Sequence, residues 1–175
     1  SMATENYMAA QNFFSRAKEE KGDYYSGMVA AVREADAVFM QKNYAKAIIL
    51  YDRIAHTDSV DADYARYQKA ILLGLQGRNS EKISLLQSII YSALPSAYAN
   101  HARYELAVTY IDANKYNQAL TYLKQLTDSV SDKSFAPQSW MKTGFVYQQT
   151  GNNAGAIEAY KHVVIDYPAS EDRLP

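Results

Sequence analysis

Histidines are the first place to look for a metal site or a general base, because imidazole is the commonest metal ligand and titrates near neutrality. The chain has three, His56, His101 and His162. No two of them stand four residues apart, the spacing that sets two rings on one helix face. Cysteine is absent, which removes disulfides, Cys-ligated zinc, iron–sulfur clusters and thiol nucleophiles together. Carboxylates pair at Glu19-Glu20 and at Asp61 and Asp63. Both pairs fall near helix ends, where solvation and the helix macrodipole explain them. There is no Gly-x-Ser-x-Gly elbow and no Gly-rich loop leading to a phosphate-binding lysine, so acyl and phosphoryl transfer lack their parts. Gly74 and Gly77 mark a helix end. The sequence names no catalytic residue, no metal ligand and no cofactor site, and it reads as a non-enzyme.

Tyrosine is the residue in excess, 16 of 175 against 5 Phe and 1 Trp. Tyrosines stack on nucleic-acid bases when a cationic groove holds the backbone. Here 18 Lys and Arg are dispersed among 19 Asp and Glu, a net charge of −1. No phosphate-tracking stripe exists, so nucleic acid is not an expected partner. No stretch approaches the ~20 apolar residues of a bilayer span, and no basic amphipathic segment suits a membrane surface. Direct membrane insertion is not expected. A hydrophobic content of 48% excludes disorder, and the length suits one compact or repeat-built domain of ~100–200 residues. The first twenty residues lack a basic-then-apolar leader. Ser1-Met2 looks like a tag scar. Ser170-Glu171-Asp172 reads as an N-cap with acidic first-turn residues, followed by too few residues to make a helix. The expectation is a segment of a longer protein.

The elements that must carry these side chains are helices. Apolar residues recur three and four apart, as around Ala45, Ile48 and Ile49, with Tyr44 and Tyr51 one heptad apart; no sustained alternation competes. Helices are predicted near 4–20, 23–41, 44–57, 61–76, 79–93, 96–113, 116–129, 135–150 and 153–166, with Gly22, Gly77 and Gly151 as stops. One skeleton repeats along them. Tyr44, Ala47, Tyr51 and Ile54 place an aromatic, a small residue and two large residues on one face. The pattern returns at Tyr116, Ala119, Leu123 and Leu126, and at Asn153, Ala156, Tyr160 and Val163. Weaker copies are Asn79, Lys82, Leu86 and Ile89, and Tyr7, Ala10, Phe14 and Ala17. The copies start at 7, 44, 79, 116 and 153, spacings of 37, 35, 37 and 37. A second small–large skeleton precedes the last four: Ala35 and Val38, Ala70 and Leu73, Ala107 and Tyr110, Gly144 and Tyr147. Each unit is a helix pair, and only stacking of pairs buries a continuous core.

These residues resemble the tetratricopeptide repeat (TPR) family. The best copy is Trp140-x3-Gly144-x2-Tyr147-x3-Gly151-x4-Ala156-x3-Tyr160-x7-Pro168. The resemblance implies an all-α, right-handed superhelical solenoid of antiparallel helix pairs. It divides the chain into the scar (1–2), the second helix of a preceding repeat (3–21), four repeats (22–61, 62–96, 97–133 and 134–170) and the start of a following helix (171–175). Repeat 2 departs from the pattern at Arg66, Asn79 and Lys82, and repeat 3 at Arg103, which predicts looser joints there. The run from Val163 to Ser170, with Asp166-Tyr167-Pro168 at its centre, looks like a helix end of cell-envelope TPR proteins, the Tol–Pal coordinator and outer-membrane-assembly lipoprotein class. That similarity implies a bacterial periplasm or envelope, with the cytoplasm as the alternative. Asp58-Ser59-Val60 and Asp128-Ser129-Val130 resemble a bacterial O-glycosylation sequon, though helix-stop chemistry explains them more simply.

The resemblance also implies a concave groove lined by the first helix of each pair. Position by position this gives Val29, Val32, Asp36 and Phe39; Tyr64, Tyr67, Ile71 and Gly74; His101, Tyr104, Val108 and Ile111; and Gln138, Met141, Phe145 and Gln148. The partner-binding candidates are Tyr64, Tyr67, Ile71, His101, Tyr104, Val108, Met141, Phe145 and Gln148. The Lys and Asn clamp of chaperone-binding TPR domains is missing from these positions. The implied function is a scaffold that binds a protein or peptide through an aromatic, apolar groove. The alternatives are a structural spacer, an oligomerisation segment that associates through exposed terminal repeats, or a regulatory repeat domain attached to an enzyme. Of the tyrosines, those at 7, 44, 51, 110, 116, 147, 160 and 167 belong to the packing skeletons, three belong to the groove, and those at 24, 25, 91, 98 and 122 have no assigned role.

Overall fold

A computed structural model describes residues 7–8, 11, 24–57, 61–129 and 132–168. Among them are eight helices and no strand. The helix expected near 4–20 lies outside the described residues except at 7, 8 and 11, which are helical. Asp58-Ser59-Val60, Val130 and Ser170-Glu171-Asp172 also lie outside them. The chain divides into two compact units, Ser1–Tyr98 and Ala99–Pro175.

In the first unit, helices α1 (Tyr24–Met40), α2 (Tyr44–Ala55), α3 (Ala62–Leu75) and α4 (Asn79–Ile90) each pack on the next. The core is the predicted small–large interlock. Ala35, Val38, Ala47, Tyr51, Ala70 and Leu73 are all buried. Among the described residues, Tyr51 is the largest of the fully buried side chains. In the second unit, α5 (Ala99–Asp112), α6 (Tyr116–Thr127), α7 (Ala136–Gln149) and α8 (Asn153–Asp166) pack in the same serial order. Ala107, Ala119, Leu123 and Leu126 are buried, and Ala156 and Ala159 fill the α8 side. Each fully buried leucine contributes about 1.5–3 kcal/mol of transfer free energy. An alanine or glycine opposite it lets the helices come close enough for that burial.

The turn inside each helix pair is one motif used four times. Lys42, Gly77, Asn114 and Gly151 have φ of 61°, 74°, 55° and 76°. At each, its N–H donates to the carbonyl three residues back, and the next N–H donates to the carbonyl five back. Examples are Gly77 to Gly74 at 2.9 Å and Arg78 to Leu73 at 2.9 Å, and Asn114 to Ile111 at 2.8 Å and Lys115 to Tyr110 at 2.8 Å. This is the Schellman closure, in which a left-handed residue lets the orphan carbonyls of the helix end find donors. Asn43 and Asn152 then cap the following helix by accepting from Lys46 and Gly155. The turns recur 35, 37 and 37 residues apart, the period already seen in the side chains.

Of the off-pattern residues of repeats 2 and 3, Arg66 and Arg103 hold their joints by hydrogen bonds and Lys82 by packing. Arg66 donates to Asp63 at 2.6 Å and to the carbonyl of Ala55, the last residue of α2, at 2.7 Å. A cation is favourable at that helix end. Lys82 is buried and lies over Gly74, where any side chain on Gly74 would meet the lysine stem. Its methylenes fill the hole as an aliphatic knob would. Arg103 ties α5 to α6 by donating to Gln125 at 3.0 Å and holds Asn100 at 2.8 Å.

Candidate functional site

None of the nine groove candidates is buried. In the first unit they gather around a residue with no role at the level of sequence. Tyr98, just ahead of α5, sets its ring 5.6 Å from that of Tyr64 and 5.9 Å from that of Tyr67. In the second unit Phe135, just ahead of α7, stands 4.8 Å from His101 and 5.6 Å from Tyr104. The two clusters are one arrangement displaced by 37 residues: 64, 67 and 98 against 101, 104 and 135. Two aromatics of a first helix hold a third from the segment that opens the next pair. Ring pairs at such distances each contribute ~0.5–1.5 kcal/mol beyond simple burial. Ile71 and Val108, one turn further along, are half-buried. Met141, Phe145 and Gln148 lie four and three apart on one face of α7 and are exposed; Gln148 accepts from Tyr160 at 3.5 Å.

The first unit adds a charged element. Asp36, at a groove position of α1, accepts the hydroxyl hydrogens of Tyr51 at 2.7 Å and Tyr64 at 2.8 Å. Burial first, and then the bond to Asp36, raise both phenols well above their ordinary value. Short bonds from neutral hydroxyls to a carboxylate are charge-assisted and hold the acceptor in place. Arg33 approaches the other oxygen of Asp36 at 3.5 Å, with its side chain 61% exposed. Val29, Val32, Arg33, Asp36, Asp61, Tyr64 and Tyr98 line one cleft of about 430 Å³. Four of these, Val29, Val32, Asp36 and Tyr64, are groove positions named from the repeat register. A second cleft of about 560 Å³ lies beside the α4–α5 connection, between Arg66, Leu94, Pro95 and Tyr98.

The other unassigned tyrosines divide. Tyr122 is buried and stacks on Tyr110 with centroids 6.0 Å apart and planes 9° apart, so it belongs to the core. Tyr91 is exposed, and the side chains of Tyr24 and Tyr25 lie outside the described residues. Tyr98, Phe135 and Tyr122 were missed for different reasons. The first two lie at the start of the helices predicted near 96–113 and 135–150, but α5 and α7 begin at Ala99 and Ala136, so both rings come from connections, and they stand 37 apart. Tyr122 sits beside Leu123, which already filled the skeleton position.

Among the described residues, no group of three or more His, Cys, Asp and Glu is placed to hold a metal ion. His56 and His162 each bond within their own helix, to the Asp52 carbonyl at 2.7 Å and the Asp166 carboxylate at 2.6 Å.

Serial helix pairs closed by a repeated turn define an all-α helical-repeat protein. Comparison with known proteins supports the tetratricopeptide repeat family within that class. Residues 104–171 match the family model described as "Tetratricopeptide repeat". No curated protein sequence matches the chain significantly. Among solved structures, TPR-like repeats assigned to a kinesin light chain of Podosopora anserina superpose with a TM-score of 0.69, covering 92% of this chain and 84% of that one. PlcR of Bacillus thuringiensis, in complex with the peptide PapR7 and DNA, gives 0.69 over 93% of this chain and 64% of that one. The MamA protein gives 0.65 over 99% and 98%. Each is 16% identical to this chain, so the likeness is one of fold.

Proposed function

We propose that the chain is a non-catalytic scaffold that binds a protein or peptide partner through the first-helix faces of its repeats. One observation carries this reading. Residues chosen by repeat position alone, Val29, Val32 and Asp36 of α1 and Tyr64 of α3, converge on one open cleft. Tyrosine suits such a face, because it offers a large rigid surface with a polar tip at little entropic cost. A peptide occupant is in keeping with the PlcR neighbour, whose structure holds PapR7. The Val163–Ser170 run supports a bacterial envelope setting. No helix among the described residues is long and apolar enough to cross a membrane. The test is a peptide array or pull-down with Tyr67→Ala and Tyr104→Ala, each shown to be folded. Partners that bind wild type and both variants equally would remove the groove from the reading.

One observation favours self-association as a second reading. Ile157, Val164 and Ile165 of α8 are 58%, 73% and 69% exposed, and exposed apolar faces mark interaction surfaces. Sedimentation equilibrium would show a concentration-dependent dimer, abolished by Val164→Glu with partner binding intact.

A further inference from the structure

The residues lining the cleft of the first unit differ in charge from those at the equivalent sequence positions of later repeats. The α1 groove position held by Asp36 is occupied in α3 and α5 by Ile71 and Val108. The position just ahead of the first helix is Asp61 in this cleft, against Tyr98 and Phe135 in the next two repeats. Two carboxylates and one guanidinium therefore share the cleft with two tyrosine rings and two valines. Arg33 offsets Asp36 only in part, since its guanidinium is 61% exposed and approaches one carboxylate oxygen at 3.5 Å. Asp61 makes no capping bond to α3, and among the described residues no ion pair involves it. Within the fold its charge meets the N-terminal end of the α3 macrodipole, and no cation among the described residues neutralises it.

We propose that this cleft recognises a cationic side chain, Lys or Arg, of the bound peptide, with Asp36 and Asp61 as counter-charges and the Tyr64 and Tyr98 rings as the wall it lies against. The inference rests on the scaffold reading and adds the chemistry of the partner. Charge complementarity selects this occupant. An apolar residue would leave Asp61 desolvated without a partner, which costs more than the contact returns. An acidic residue would meet two like charges. A cation gains both carboxylates and the faces of the rings, which attract it through their quadrupoles. Asp36 is already fixed by the two phenols, so it loses little freedom when a guest arrives. The potential at the wall has the required sign: after burial, the charges of Asp61 and Asp36 are what raise the Tyr98 phenol.

The experiment uses the whole chain with labelled tyrosine rings, titrated by NMR with the peptide Ac-Leu-Ala-Arg-Ala-Leu-NH2 and its citrulline counterpart, which keeps shape and loses charge. The arginine peptide is expected to shift the Tyr64 and Tyr98 rings saturably, with the citrulline form weaker by about tenfold or more. Added salt should narrow the gap. Asp61→Asn should remove most of the preference while leaving the melting curve unchanged; Asp36→Asn is the less clean variant, because it also disturbs Tyr51. Equal binding of the two peptides at these rings would overturn the cation assignment while leaving the scaffold reading intact. No saturable shift with the arginine peptide, in a folded wild-type chain, would overturn it as well.

Discussion

Replacing Gly144 with alanine tests the contact on which the second unit is built. In an isolated helix the change is favourable by about 1 kcal/mol, since glycine loses more backbone freedom on folding. Here the new methyl would sit 2.4 Å from Cε1 of Tyr160 and 2.7 Å from both Cδ1 and Cζ. Carbon atoms prefer ~3.5–4.0 Å, so the ring must retreat by about 1 Å. The ring is rigid, and the atoms met lie along its edge, so no terminal torsion can relieve the clash. Overpacking of this kind costs ~1–3 kcal/mol. Subtracting the propensity gain leaves a net destabilisation of ~0–2 kcal/mol, centred near 1. Trp140 is the only tryptophan and stacks on His162 across α7 and α8 at 4.1 Å, so its fluorescence in a urea titration reports this joint. The decisive comparison is a cycle with Tyr160→Ala. In that background the clash is gone, and Gly144→Ala should become stabilising by about 1 kcal/mol. If Gly144→Ala stabilises the wild-type chain by its full propensity, α7 and α8 do not meet at Gly144 and the small–large interlock is wrong there.

Three further outcomes follow from the same geometry. Ala119 is fully buried, so Ala119→Trp should lower stability by about 1–3 kcal/mol or more, read as an earlier urea midpoint; a near-neutral result would mean that the repeat register is wrong. Lys42 holds a left-handed φ of 61°, which costs a side chain about 1–2 kcal/mol, while glycine's extra chain entropy returns ~0.5–1. Lys42→Gly should therefore stabilise the first unit by about 0–1.5 kcal/mol, and a loss in thermal melts would refute this. Asp132 is held down at about 2 by hydrogen bonds from Ser134, side chain and backbone, and from Asn100. A depressed carboxylate contributes stability above its unfolded value of 3.8 and loses it as pH falls toward 2. Wild type should exceed Asp132→Asn in stability at pH 5 and converge with it near pH 2; a gap that persists in acid would mean that the carboxylate charge is not what matters.

The fold was legible because its signal is redundant. Ala47, Ala119 and Ala156 are holes by the same logic, so a weak copy such as Asn79 and Lys82 could be placed by its neighbours. The turns were half legible. Gly77 and Gly151 announce a left-handed stop, whereas Lys42 carries no intrinsic preference for one and Asn114 only a modest one. Their conformation is imposed by the need to satisfy carbonyls such as those of Val38 and Tyr110. At Arg66 and Arg103 the expectation of loose joints followed side-chain volume alone. It left out the donors, which find Ala55, Gln125 and Asn100 instead.

The candidate site was legible by position and illegible by partner. Helical periodicity assigns Tyr64, Tyr67, His101 and Tyr104 to one face but is silent about a ring that arrives from a connection. Tyr98 and Phe135 therefore drop out of any argument based on 3.6 residues per turn, and they return only under the 37-residue period. That period is the stronger instrument for this chain, because it also isolates where the repeats disagree. At the position ahead of the first helix the series runs Asp61, Tyr98, Phe135; at the third groove position of each repeat it runs Asp36, Ile71, Val108, Phe145. Residues that agree across repeats are accounted for by stacking, which every joint requires. Of the residues that disagree, Asp36 also satisfies the hydroxyl of buried Tyr51, whereas Asp61 makes no capping bond. The two acids of the first unit are the clearest departures on the candidate groove face, and for that reason selectivity for the proposed partner is to be sought at them before the shared aromatic wall.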